Sequence, residues 1–224
     1  MRTALAVMAR YPAVGAVKTR LARGIGPERA CLLYRAFLQD IEARFARRQR
    51  ALVWMYYPPA CDFAGVVGAA ASCRPQEGAD LGERMLNGFR TLLREGFERV
   101  IMIGADVPHV RDEWLDEAEE QLKNVDVVLG PTEDGGYYLV AMHSAHDVFS
   151  GVTMGRHTVL SDTLEIAAAR KLTVHQLPRS FDVDELQSLQ RLQVALEEES
   201  LRAALAQTVR LLDEWSTPRT RSQR

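Results

Sequence analysis

Residues 99 to 110, Arg-Val-Ile-Met-Ile-Gly-Ala-Asp-Val-Pro-His-Val, constrain the fold of this chain more than any other stretch. The apolar, partly β-branched run from Val100 to Ile103 is short and continuous, the pattern of a strand covered on both faces in a parallel sheet. Gly104 lets the backbone leave that strand, and Pro108, with no amide proton to donate, ends pairing. Asp106 falls in between, where open α/β sheets bind ligands beyond the carboxyl ends of their strands. A carboxylate there serves either a binding site or the cap of a helix starting near Arg111, and the stretch alone does not choose between the two.

The rest of the chain alternates strands with helices. Residues 3–9 read as a first buried strand, and Pro12 and Gly15 break regular structure after it, which places Lys18, Thr19 and Arg20 on a loop. Such a loop can aim amides, a guanidinium fork and a point charge at a polyphosphate, although it has neither Walker A nor G-x-G-x-x-G spacing. The alternative is a solvated basic loop. Apolar residues from Ala30 to Phe45 recur at three- and four-residue steps and predict an amphipathic helix from Gly26, with Pro27 in its first turn. Arg47, Arg48 and Arg50 follow at its C-terminus, where cations complement the helix dipole. Ala51–Tyr57 reads as a strand stopped by Pro58 and Pro59, and a short irregular helix and an extended piece are expected over 60–72.

A second amphipathic helix is expected from Leu81, with Asp80 as its N-cap and Glu83 and Arg84 in its first turn. Gly82 is a poor helix former there, by about 1 kcal/mol against alanine, and close approach of a ligand to the backbone would justify it. Beyond residue 110 the spacing predicts a helix over 112–123, a strand over 126–130, a strand over Tyr137–Met142, a helix over 156–170 and a late strand over 171–177. Asp134, Gly135 and Gly136 between two strands read as a hairpin turn that would bring Glu133, Asp134 and Tyr137 to the same sheet edge as Asp106. His143 and His146, three residues apart, read as surface groups. Asp182 and Asp184 project to one side of an extended backbone, a pair suited to a hard divalent cation, unless Asp184 is only the N-cap of the helix expected from Glu185 onward.

Composition narrows the function classes. With 224 residues, 47% hydrophobic and 26% charged, the chain is expected to fold as one α/β domain over 1–215, followed by a basic, disordered tail over 216–224. A net charge of -2 supplies no bulk positive field for nucleic acid, so an anionic ligand must be held by a local basic cluster. Cys31, Cys61 and Cys73 lack the spacing of a zinc site or disulfide framework and suit a reducing cytoplasm, the expected location. No stretch approaches the roughly 20 apolar residues of a membrane span, and the N-terminal apolar run is too short for a signal peptide.

Four motifs occur in order: Pro12-x-x-Gly15-x-x-Lys18-Thr-Arg-Leu21, Asp80-Leu-Gly-Glu-Arg-Met85, Ile103-Gly-Ala-Asp-Val-Pro108, and Val128-Leu-Gly-Pro-Thr-Glu-Asp-Gly-Gly-Tyr-Tyr-Leu139. In this series the chain resembles bacterial glycosyltransferase-A-type proteins, nucleotide-diphospho-sugar transferase-like and of the arsenosugar-biosynthesis type, and more distantly the 2-phospholactate guanylyltransferases. The resemblance implies a Rossmann-like, mostly parallel mixed sheet with helices on both faces and a nucleotide pocket at its carboxyl edge. It implies nucleotide and phosphate binding by the segments holding Pro12, Gly15, Lys18, Thr19, Arg20, Gly82 and Arg84. It further implies a divalent cation, Mg2+ or Mn2+, on Asp106, Asp182 and Asp184, and an acceptor or sugar pocket at Gly135, Gly136 and Tyr137 with Asp134 as the catalytic group. Two departures stand out: the acidic segment continues as Asp184-Glu-Leu-Gln rather than with Thr and a second Asp-Leu pair, and Val152-Thr-Met-Gly155 replaces a Trp-Ser/Thr motif.

The expected activity is metal-dependent glycosyl transfer from a nucleotide sugar to a small-molecule acceptor. The alternatives are nucleotidyl transfer from a nucleoside triphosphate to a phosphorylated acid, and a non-catalytic nucleotide-binding protein.

Overall fold

The computed structural model describes residues 2–216. In chain order the elements are β1 (Thr3–Arg10), α1 (Thr19–Ile25), α2 (Pro27–Phe45), β2 (Ala51–Tyr57), α3 (Ala64–Val67), β3 (Ser72–Pro75), α4 (Leu81–Arg94) and β4 (Arg99–Gly104). They continue with α5 (Asp112–Gln121), β5 (Val127–Pro131), β6 (Tyr137–Met142), α6 (Val159–Ala169), β7 (Val174–Gln176), α7 (Leu186–Ala195), α8 (Glu199–Ala204) and α9 (Ala206–Ser216). The strands form one seven-stranded sheet in the order β3-β2-β1-β4-β6-β5-β7. Only β6 runs against its neighbours, pairing antiparallel with both β4 and β5, so β5 is parallel to β4 and ends on the same edge.

Strand order explains where a site can form. From β1 the chain winds outward through β2 and β3, then returns to place β4 on the other side of β1. The crevice beyond the carboxyl ends of β1 and β4 is therefore the topological switch point of the sheet. The loop after β1 carries Lys18 and the loop after β4 carries Asp106, so the two meet there by topology alone.

Both faces of the sheet are covered. Leu5, Val7, Ile101 and Ile103 point into a core closed by α1, α2, α5, α7 and α9, whereas Ala4, Ala6, Val100 and Met102 point into a second core under α4 and α6. The β4 residues Val100 to Ile103 are all 1% exposed or less, which accounts for the unbroken apolar run of that strand.

The structure departs from the sequence expectation at two places and removes one alternative. Thr19 and Arg20 lie in the first turn of α1 rather than on a loop, because Pro12 and Gly15 disrupt only the first half of the connection. Lys18 then turns the chain through a left-handed conformation (φ 50°, ψ 41°) directly into a helix. The helical stretch expected from Glu185 onward is three helices, since the chain breaks after α7 and again at Leu205. The start of α9 is capped from 167 residues away: the buried Asp40 carboxylate of α2 accepts from Gln207 N at 2.8 Å, Thr208 N at 2.9 Å and Thr208 Oγ1 at 2.6 Å. Each such bond is worth about 1 kcal/mol net, and more if one partner is lost and the others stay buried. Finally, the N-cap of α7 is Glu185, in a capping box with Ser188, so Asp184 is not used as a cap. The tail expected from 216 lies, from 217 on, outside the described residues.

Candidate active site

The β1–α1 connection is fixed before its side chains are placed. Arg10 N donates to Tyr34 Oη at 3.0 Å, Tyr11 N to Tyr57 O at 2.7 Å, and the Arg35 guanidinium to Pro12 O at 3.0 Å, pinning the segment to α2 and β2. Gly15 turns it at φ 76°. Lys18 is thereby delivered inward, its side chain only 2% exposed. Its ammonium bonds Asp106 Oδ1, lies 3.4 Å from Asp184 Oδ1, and sits 5.7 Å and 6.0 Å above the rings of Tyr34 and Phe37. A lysine this deeply buried requires compensation, and here two carboxylates and two aromatic faces provide it. Its left-handed backbone is uncommon for a residue with a side chain and is typical of strained functional positions.

Asp106 stands at the end of β4, where Ala105 N bonds Met8 O at 3.1 Å and Asp106 O accepts from Val183 N at 3.0 Å. That last bond draws the 180–184 segment across the switch point, so acids far apart in sequence converge. Asp184 is bonded by Lys18 and by the Arg20 guanidinium, and Arg20 also donates to Glu185 at 3.2 Å. Burial works against the Asp184 charge, but Lys18 and Arg20 overcome it and hold the carboxyl below the usual carboxylate range. Asp182, two residues earlier, goes the other way: burial, then Asp134, and then Asp106 and Asp184 push it up. Neighbouring carboxyls driven in opposite directions are a mark of functional clusters.

Asp134 is at the tip of the β5–β6 hairpin, on the same edge through β5. One of its oxygens closes the turn, accepting from Thr132 Oγ1 and from Gly136 N at 3.2 Å. Beside it, Glu133 grips Arg191 of α7 with two bonds of 2.5 Å and 2.6 Å, and that guanidinium lies 4.2 Å over the ring of Phe181. These groups, with Arg20, Asp182 and Asp184, line a cleft of about 280 Å³.

Other residues expected at the site are packed against partners within the protein. The close approach at Gly82 is made by the protein itself: an added Cβ would lie 3.2 Å from Phe149 Cβ and 3.3 Å from Met154 Cε. Arg84 donates to Gly78 O at 3.0 Å and lies 3.9 Å over the Tyr57 ring, holding the loop before α4. Gly135 abuts the 157 backbone, and Gly136 packs on Thr132. Tyr137 packs against the second core with its hydroxyl buried, and the aromatic residue that lines the cleft is Phe181. Period-2 alternation sends Tyr137 and Tyr138 to opposite faces, and Tyr138 packs on Trp114 at 5.3 Å. Phe181 and Arg191 were legible only in part: Phe181 adjoins the acid pair, whereas Arg191 carries no local signal beyond an exposed helix face. His143 and His146 follow β6, whose reversed direction puts them on the opposite edge of the sheet, with His146 3.9 Å from Asp126.

Among the described residues, no group of three or more His, Cys, Asp or Glu is close enough to form a complete metal cage. Mg2+, however, is commonly held by one or two carboxylates together with substrate phosphates and water. Asp182, raised first by its burial and then by Asp134, Asp106 and Asp184, forms no ion pair within 4 Å among the described residues and is chemically suited to such a partial site.

The sheet order, the switch-point cleft and the converging Lys18, Arg20 and acid cluster define the class: an α/β protein of the nucleotide-diphospho-sugar transferase fold. The chain belongs to the family described as "uncharacterized protein conserved in bacteria" (DUF2064), whose model matches residues 41–156. A crystal structure from Desulfovibrio desulfuricans G20, provisionally named a nucleotide-diphospho-sugar transferase, is similar at 33% identity and TM-score 0.89 over 96% of each chain. Two more distant structures share the fold. A cytidylyltransferase from Leptospira borgpetersenii serovar Hardjo-bovis aligns at 13% identity and TM-score 0.58 over 100% of this chain and 99% of its own. CMP:2-keto-3-deoxy-manno-octonic acid synthetase complexed with CTP aligns at 11% identity and TM-score 0.57 over 89% of this chain and 100% of its own. A comparison with curated proteins finds no match. Among the described residues no helix is long and apolar enough to cross a membrane.

Proposed function

We propose that the protein is a transferase that takes a sugar from a nucleotide diphosphate donor bound at the switch point. The observation that carries this reading is the buried Lys18 ammonium set between Asp106 and Asp184 at the crevice between β1 and β4, with Arg20 beside it. Lys18 and Arg20 supply fixed positive charge for the diphosphate, the group on which negative charge grows as the glycosidic bond breaks. A divalent cation, Mg2+ or Mn2+, held by Asp106 with Asp182 or Asp184 would add Lewis-acid neutralisation of that leaving group. Asp134 keeps one carboxylate oxygen clear of its turn bonds and is the group placed to accept a hydrogen bond from an acceptor hydroxyl.

The uncommitted carboxylates of the cleft suit an acceptor that offers hydroxyls. Both guanidiniums on its wall are already matched by carboxylates, Arg191 by Glu133 and Arg20 by Asp184 and Glu185, and this leaves Asp134 and Asp182 facing the same space. Acceptor hydroxyls would find hydrogen-bond acceptors there. Support also comes from the Desulfovibrio relative, 33% identical to this chain.

Incubation with a panel of sugar nucleotides and Mn2+ is expected to yield free nucleoside diphosphate, read by coupled assay or chromatography. Pyrophosphate release from a nucleoside triphosphate and a phosphorylated acid, with no sugar-nucleotide turnover, would overturn sugar transfer in favour of nucleotidyl transfer. Nucleotide binding without turnover of either kind would indicate a binding protein.

A further inference from the structure

The segment carrying Asp182 and Asp184 belongs to neither a strand nor a helix, so its position over the sheet edge depends on what it is tied to. Its backbone is tethered at both ends: Ser180 N bonds Pro131 O at 3.0 Å, Glu133 N bonds Ser180 O at 3.2 Å, and Val183 N bonds Asp106 O at 3.0 Å. Between the tethers, the side chain beneath the segment is His109, three residues beyond Asp106 on the β4–α5 connection.

His109 is 5% exposed. Its Nε2 lies 3.2 Å from Ser180 Oγ, and its ring stacks on Phe181 with centroids 4.2 Å apart and planes 27° from parallel. The Arg191 guanidinium, locked to Glu133, rests on the same Phe181 ring. Burial, reinforced by Arg191, Arg44 and Arg111, pushes the imidazole down to about 3, so it is neutral at physiological pH and can bond Ser180 without adding charge beside the acids. Its Nδ1 has no partner at standard hydrogen-bond geometry, although the Phe181 backbone weakly opposes the downward shift of the ring. A phenylalanine would fill this space without leaving a buried nitrogen unpaired, so packing alone does not explain an imidazole.

We infer that His109 is a positioning residue: through Ser180 and Phe181 it sets where Asp182 and Asp184 stand relative to Asp106, and so tunes the cation and diphosphate site. The inference rests on the proposed reading of the cleft as that site. Supporting residues that orient ligands of this kind typically change affinity by 10–100-fold when replaced.

The test is the melting temperature of the full chain titrated with UDP, CDP, GDP or ADP, with and without Mn2+, for wild type, His109→Phe, His109→Gln and Ser180→Ala. His109→Phe keeps the volume and the stack, so its nucleotide-free melting temperature should stay within a few degrees of wild type while its Mn2+-dependent affinity for nucleotide falls by about tenfold or more. His109→Gln, which restores a polar group near the Nε2 position, should retain affinity to within about threefold, and Ser180→Ala should behave like His109→Phe. A His109→Phe protein that melts lower but binds as wild type does would make the role structural only and overturn the inference. If His109→Phe does not fold, unchanged affinity in Ser180→Ala overturns it instead. A wild type with no Mn2+-dependent shift removes the reading beneath it, and the inference with it, whereas a normal wild-type shift unchanged in the variants removes the inference alone.

Discussion

Lys18→Met is expected to melt roughly 6–12 °C below wild type at pH 7 and to turn over its nucleotide donor about a hundredfold more slowly. The stability loss follows from which partners are left behind. Breaking a buried ion pair by removing one member costs about 3–5 kcal/mol, because the surviving charge stays buried. The lower end applies here, since the Asp106 side chain is 46% exposed and water offsets part of its loss. Methionine keeps the length and apolar contacts of the stem and faces the same left-handed backbone demand as lysine, so the difference isolates the ammonium. A pH signature separates this account from simple loss of packing. Asp184 is held below its ordinary range by Lys18 and Arg20, so in the wild type it contributes stability at neutral pH that is lost as acid protonates it. In the variant that contribution is reduced and the carboxylates repel one another, a penalty greatest at pH 7 that shrinks as pH falls through the carboxylate range. Melting curves between about pH 2.5 and 8 should therefore converge at the acid end, below about pH 4, where acid reaches the depressed Asp184 carboxyl. A constant gap across that range would mean that Lys18 acts by packing.

Gly135→Ala carries the second large effect, about 4 kcal/mol of destabilisation and roughly 10 °C in melting temperature. Two causes add. Gly135 has φ 90°, which side chains rarely adopt, and a Cβ there would lie 1.9 Å from the backbone oxygen of His157. Neither side yields cheaply, because Gly135 O also accepts from Leu160 N at 2.8 Å at the start of α6. Gly15→Ala is the control: φ 76°, but nothing within 4 Å of the added carbon, so only conformational strain of about 1–2 kcal/mol applies. Urea unfolding of both variants reads the difference directly. Equal losses would show that the hairpin shifts freely away from residue 157 and does not lock Asp134 in place.

Where local pattern and chain direction carried the information, the sequence was enough. The run from Val100 to Ile103 and the break at Gly104 identify a central strand, and a strand at a switch point carries its acid to the crevice. The approach of the 182–184 segment to Asp106 and Lys18 was implied by the family resemblance, but it is tertiary bonds, Val183 to Asp106 above all, that produce it. What the sequence left hidden depends on distant partners. Nothing near residue 40 announces that Asp40 caps α9 through Gln207 N, 167 residues later. Gly82 looks like room left for a ligand until Phe149 and Met154 are seen to occupy it. Phe181 rather than Tyr137 lines the cleft, because Tyr137 faces the second core, and which core a β6 side chain meets follows from sheet pairing rather than composition.

A calorimetric titration of nucleoside diphosphate into wild type and Asp106→Ala, each with and without Mn2+, addresses the convergence of charges most directly. The wild type should bind more tightly with the cation present, and Asp106→Ala should bind equally with and without it while remaining folded. If Asp106→Ala keeps the full Mn2+-dependent gain in affinity, the cation and diphosphate do not meet at the crevice between β1 and β4, and the proposed site is wrong.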